Sequence, residues 1–65
     1  MHQLFKIFLQ KQLFNLGYQR VTSLTGIKPP NLHKLAYGSS LPNLRTVERV
    51  LSGLGAKFSE VFTDS

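Results

Sequence analysis

Glycine and proline cut this chain into short pieces, and no other feature restricts its fold as much. Gly17, Gly26, the pair Pro29 and Pro30, Gly38, Pro42, Gly53 and Gly55 interrupt apolar residues that recur at intervals of three and four. That recurrence marks amphipathic helix, whereas sustained alternation, the mark of a half-buried strand, is absent. The chain therefore reads as an all-α protein, a compact bundle of about five short helices.

Residues 4–16, LFKIFLQKQLFNL, place Phe5, Leu9, Leu13 and Leu16 on one side with Phe8 beside them, and leave Lys6, Gln10 and Lys11 elsewhere. Gly17 ends this helix in a left-handed conformation. A second helix, with Val21 and Leu24 facing inward, runs to Gly26. Two prolines then start a third, because proline has a helical φ and lacks only an N–H that has no acceptor in a first turn. Leu32 and Leu35 face inward until Gly38, and Asn31, His33, Lys34 and Tyr37 are held out to solvent behind Lys28. Asn43 is an efficient N-cap for a fourth helix with Leu44, Val47, Val50, Leu51 and Leu54 on its apolar side, ended by Gly53 and Gly55. Phe58, Val61 and Phe62 supply one or two closing turns.

With 65 residues, positions 1–65 read as one domain, and a domain of that size buries only about 60% of its unfolded surface. There are no cysteines, which excludes disulfides and thiolate metal sites and fits a reducing compartment. The 42% apolar content suits a globular domain, and no apolar run is long enough to span a membrane. Charge is more telling. Lys6, Lys11, Arg20, Lys28, Lys34 and Arg45 are accompanied by no acid before Glu48, and Glu60 and Asp64 come later still. This asymmetry gives the first two-thirds a positive field suited to nucleic acid or an anionic membrane surface, or simply to a solvated basic face. The first helix, basic and rich in Phe and Leu, also resembles a membrane-surface helix or an import presequence, but the later helices need it as an apolar partner.

Catalytic patterns are missing: there is no nucleophile elbow, no paired carboxylates, no Gly-rich phosphate loop and no HExxH. His2 and His33 are the only histidines, with no cysteine or carboxylate cluster to complete a metal site. The expectation is a non-enzyme without metal or cofactor.

A short helix, a turn containing Gly26 and a third helix with inward Leu32 and Leu35 is the layout of a helix-turn-helix. Val21, Ile27, Leu32 and Leu35 stand at its apolar locking positions, Thr22 at its small crossing position, and Gly26 four residues later in the turn. Thr25 stands where an apolar residue is usual, and Tyr18 replaces the glutamine that often opens the second helix. LPNLRTVERVLSGLGAKFSEVF is similar to a further pattern of proline, capped helix, Leu-Gly and a short last helix ending in Phe. On these residues, Leu16 to Phe62 resembles the helix-turn-helix family of phage Cro and repressor proteins and their chromosomal relatives. The resemblance implies a five-helix fold that binds operator DNA as a dimer to control transcription, in the cytoplasm of a bacterial cell or a phage-infected host.

It also implies site residues. The base-reading positions fall on Lys28, Pro29, Pro30, Asn31, His33 and Lys34. There Asn31 suits adenine N6 and N7, Lys34 suits guanine O6 or N7, and the prolines suit thymine methyls. Phosphate contacts fall on Tyr18, Gln19, Arg20, Lys28, Tyr37, Ser39 and Ser40. Phe58, Val61 and Phe62 are the expected dimer interface, with closure of the chain's own core as the alternative. Two other functions fit the same residues: a HigA-type antitoxin that represses its own operon and binds a toxin, and a helical module that binds only protein.

Overall fold

The computed structural model describes residues 2–39, 42–57 and 61. Among them are four helices and no strand: α1 (His2–Leu16), α2 (Tyr18–Thr25), α3 (Pro29–Tyr37) and α4 (Leu44–Leu54). The expected fifth helix falls largely outside the described residues. Of its three apolar residues only Val61 is described, and it is buried.

One layer of contact joins α1 to α3 and another joins α2 to α4, while α2 also touches α1 and α3. The core lies where these helices meet. Phe5, Leu9 and Leu13 enter it from α1 at four-residue steps, Val21 from α2, Leu32 and Ala36 from α3, and Val47, Val50 and Leu51 from α4. Ile27, in the turn between α2 and α3, completes it. The result measures 29 × 24 × 21 Å.

Local chemistry sets the helix ends. Asn43 caps α4 as expected, its Oδ1 accepting the Thr46 N–H at 2.8 Å. Gly17 joins α1 to α2 without a spacer. Its φ of 88° is positive, but its ψ of 158° places it in an extended region rather than the expected left-handed helical one. Gly53 does not end α4; it lies inside the helix, where α4 passes close to α2. A Cβ there would stand 2.5 Å from the Leu24 carbonyl oxygen and 3.0 Å from the Thr25 Cα, so only glycine lets the two backbones come together.

Several inward assignments change. Leu24 is 43% exposed, and α2 instead buries Val21 and Thr25, one turn apart. Leu16, at the end of α1, and Leu44, at the start of α4, are exposed because the chain leaves the core there. Phe14 is 91% exposed, and with Leu4 and Ile7 it leaves α1 an apolar outer side.

Thr25 explains its own presence at an apolar position. Its hydroxyl donates to the Val21 carbonyl at 2.7 Å and accepts the Ile27 N–H at 3.2 Å, so one buried group ends α2 and holds the turn. Thr22 is the opposite case, since its Oγ1 is buried with no hydrogen-bond partner. The same substitution should therefore act in opposite directions at the two sites. Thr25→Val strands the Ile27 N–H and should cost about 1–3 kcal/mol, whereas Thr22→Val removes an unsatisfied hydroxyl and should be neutral or stabilising. Urea unfolding midpoints measure both, and equal losses would contradict this assignment of the two hydroxyls.

Candidate nucleic-acid interface

Expectations for a nucleic-acid site centre on α3, a nine-residue helix. Pro29 and Pro30 occupy its first two positions, with Lys28 extended before them as the N-cap. The Lys28 carbonyl accepts the Leu32 N–H at 2.9 Å, which starts the helical ladder directly after the prolines. Leu32 and Ala36 are fully buried, and Leu35, expected inward with Leu32, is only half-buried. Every other side chain of α3 is exposed: Pro29, Pro30, Asn31, His33, Lys34 and Tyr37.

The C-terminal end of α3 is held from a distance. Lys6 of α1 donates through Nζ to the carbonyls of Leu35 at 3.1 Å and Gly38 at 2.6 Å. Gln10, one turn later, donates through Nε2 to the Ala36 carbonyl at 2.7 Å. These carbonyls belong to the helix end that has no intrahelical donors left, and an ammonium there also meets the negative end of the helix dipole. Lys6 and Gln10, expected away from the packed side of α1, are thus half-buried fixtures. Lys6 belongs to the scaffold before it belongs to any surface field.

The exposed residues of α3 divide between two edges. His33 and Tyr37, one turn apart, form a tilted ring pair with centroids 5.0 Å apart. Tyr37 is 56% exposed, so it stands on the surface rather than in the packing. Asn31 and Lys34 line a cleft toward α4, whose opposite side carries Thr46 and Arg49. Arg49 is not among the residues that the sequence pattern marks for a site. Its sequence signal was its place one turn after Arg45, which does not reveal that it turns toward α3.

Among the other expected phosphate contacts, Gln19 and Arg20 are exposed on the first turn of α2, and Ser39 is exposed after α3. Tyr18 is half-buried and packed against the core, which makes it a wedge at the α1–α2 junction. Ser40 lies outside the described residues. So do Phe58 and Phe62, and Val61 belongs to the chain's own core at 9% exposure.

Arg20, Lys28, Lys34, Arg45 and Arg49 have no side-chain partner among the described residues. No group of three or more His, Cys, Asp or Glu among those residues could hold a metal ion. No described helix is long and apolar enough to cross a membrane. Set against known proteins, the chain matches no family model, no curated protein and no solved structure.

Lys6→Met keeps most of the side-chain length and removes both bonds to α3. It should cost about 1.5–3 kcal/mol, the range for a hydrogen bond involving a charged group. The loss should be local first, with amide hydrogen exchange accelerating at the end of α3 more than in α4. Uniform acceleration would assign Lys6 a general packing role instead.

Proposed function

We propose that this protein is a small sequence-specific regulator that binds double-stranded DNA, with α2 and α3 acting as a helix-turn-helix and α3 as the helix that enters the major groove. The observation that carries the reading is α3 itself. Its inner side is anchored by Leu32, Ala36 and the bonds from Lys6 and Gln10, and its outer side offers Pro30, Asn31, His33, Lys34 and Tyr37 without an acid. A helix held rigidly with donors, acceptors and apolar groups outward suits the pattern of groups on base-pair edges. Arg20 and Lys28, both exposed and without a partner among the described residues, suit phosphates.

Control of transcription by operator occupancy, as in the Cro and repressor family, completes the proposal. Pairing on DNA belongs to it as well. Because Val61 is committed to the chain's own core, pairing is better read from stoichiometry on a fragment with two half-sites than from a Val61 variant. A protein-binding helical module is the second reading, and what favours it is the apolar outer side of α1, with Phe14 the most exposed apolar residue among those described.

Mobility-shift titration across salt concentrations tests DNA as the partner. The association constant should fall by about 0.9 log unit per log unit of salt for each phosphate neutralised. A flat response, or no binding at low salt, would favour the protein-binding module.

Affinity measured over a library of site variants at one salt concentration tests the roles of individual residues. Asn31→Ala and Lys34→Ala should each cost about 1–3 kcal/mol on the preferred site and relax the preference at one or two base pairs. Arg20→Ala should weaken preferred and random DNA alike, because a phosphate contact carries no sequence information. Pro30→Gln should keep the fold and change the preferred site. Uniform loss in all four variants, with the preferred sequence unchanged, would remove α3 as the reader.

A further inference from the structure

α3 and α4 make at most slight contact with each other, and between them lies a cleft of about 350 Å³. Its apolar part is Ile27, Leu35 and Pro42, buried or half-buried, and its polar rim is Asn31 and Lys34 from α3 with Thr46 and Arg49 from α4. Among the described residues, the rim carries two cations and no acid. Neither cationic side chain has a partner among the described residues. Glu48, the one acid among those residues, lines a separate depression with Leu44 and Leu51.

This combination is selective. Sites for small molecules are concave, of about 300–1,000 Å³, and mostly apolar with a few convergent polar groups. A bare inorganic anion would use the rim and leave the apolar part unfilled, and a neutral apolar molecule would gain nothing from the two cations. A compact apolar body carrying one carboxylate or phosphate uses both. The planar Arg49 guanidinium matches either group in bidentate fashion, Lys34 adds a point charge, and the Asn31 amide and Thr46 hydroxyl supply neutral donors.

We propose that the cleft binds a small organic anion, and that occupation lowers affinity for DNA because Asn31 and Lys34 would then be engaged. The first half stands on the cleft alone; the second rests on the reading of α3 as the DNA-contacting helix.

The probes are benzoate and phenyl phosphate, with benzyl alcohol and inorganic phosphate as the controls that lack charge or apolar body. Titration of the full chain without DNA, followed by amide NMR, should show saturable binding of both organic anions with shifts centred on Ile27, Asn31, Lys34, Thr46 and Arg49. Benzyl alcohol and inorganic phosphate should bind at least about tenfold more weakly, as should the organic anions to Arg49→Gln, since each comparison removes one main interaction. Arg45→Gln, which changes an exposed cation of the same helix outside the cleft, should leave binding unchanged.

Absence of saturation at millimolar concentrations would overturn the site. Equal losses in the Arg45 and Arg49 variants would also overturn it, by showing diffuse attraction to a basic protein. Inorganic phosphate binding as well as phenyl phosphate would do the same, by showing that the apolar part contributes nothing. The competition arm is separate: benzoate at saturation should weaken binding to the preferred DNA site in the intact chain but not in Arg49→Gln. Saturable binding with unchanged DNA affinity would refute the competition and leave the cleft standing.

Discussion

Two side chains of α1 determine where α3 points. A helix of nine residues gains too little from its own hydrogen bonds to persist alone, so tertiary contacts must define it. Burial of Leu32 and Ala36 fixes which side of α3 faces inward, but an apolar contact by itself tolerates sliding along the helix axis. The bonds from Lys6 to the Leu35 and Gly38 carbonyls, and from Gln10 to the Ala36 carbonyl, remove that freedom because each acceptor sits at one height on α3. The outer face of α3 is therefore positioned through α1, which packs directly against it.

The second fixed joint is at the other end of α3, where α2, α4 and the turn meet. Gly53 lets the backbones of α4 and α2 approach closely, and the same stretch of α2 carries Thr25, whose hydroxyl joins the last turn of α2 to Ile27. Ile27 is buried in turn, so α4, α2 and the turn that starts α3 are linked through neighbouring residues. α3 is thus held at its N-terminal end through α2 and at its C-terminal end through α1. What it lacks is a broad contact with α4, and the cleft between these helices follows from that arrangement.

Much of this was legible in the sequence because it follows from local rules. Periodicity marks α1 and α4, the paired prolines mark the start of α3, and Asn43 marks the cap of α4, since each depends on residues within one or two turns. The failures share a cause. Apolar character points Leu24, Leu16 and Leu44 inward, but Leu16 and Leu44 stand at helix ends where the chain leaves the core, and in the eight-residue α2, which passes close to α4 at Gly53, the buried pair is Val21 with Thr25. Periodicity leaves Lys6 and Gln10 off the apolar side of α1 and cannot show their role, because their partners lie 26 to 32 residues away. At the site, exposure of Asn31, His33, Lys34 and Tyr37 was readable from the spacing around Leu32. Their division into a His33–Tyr37 edge and an Asn31–Lys34 edge was not, because it depends on where α4 passes.

The prolines limit what α3 can do electrostatically. The start of a helix ordinarily attracts anions because its first N–H groups are unbonded and aligned with the positive end of the dipole. At Pro29 and Pro30 two of those donors do not exist, and the Leu32 N–H is already bonded to the Lys28 carbonyl, which leaves the Asn31 N–H as the open donor of the first turn. The dipole remains, but the donors that would fix an anion at the helix end are mostly gone. Recognition of a negative group on this side of the molecule must come from side chains, which here means Lys28, Lys34 and Arg49. Lys6, though basic and nearby in the fold, is occupied by the far end of the same helix. The positive charge that composition spreads over two-thirds of the chain is thus divided by the fold between holding α3 and presenting it.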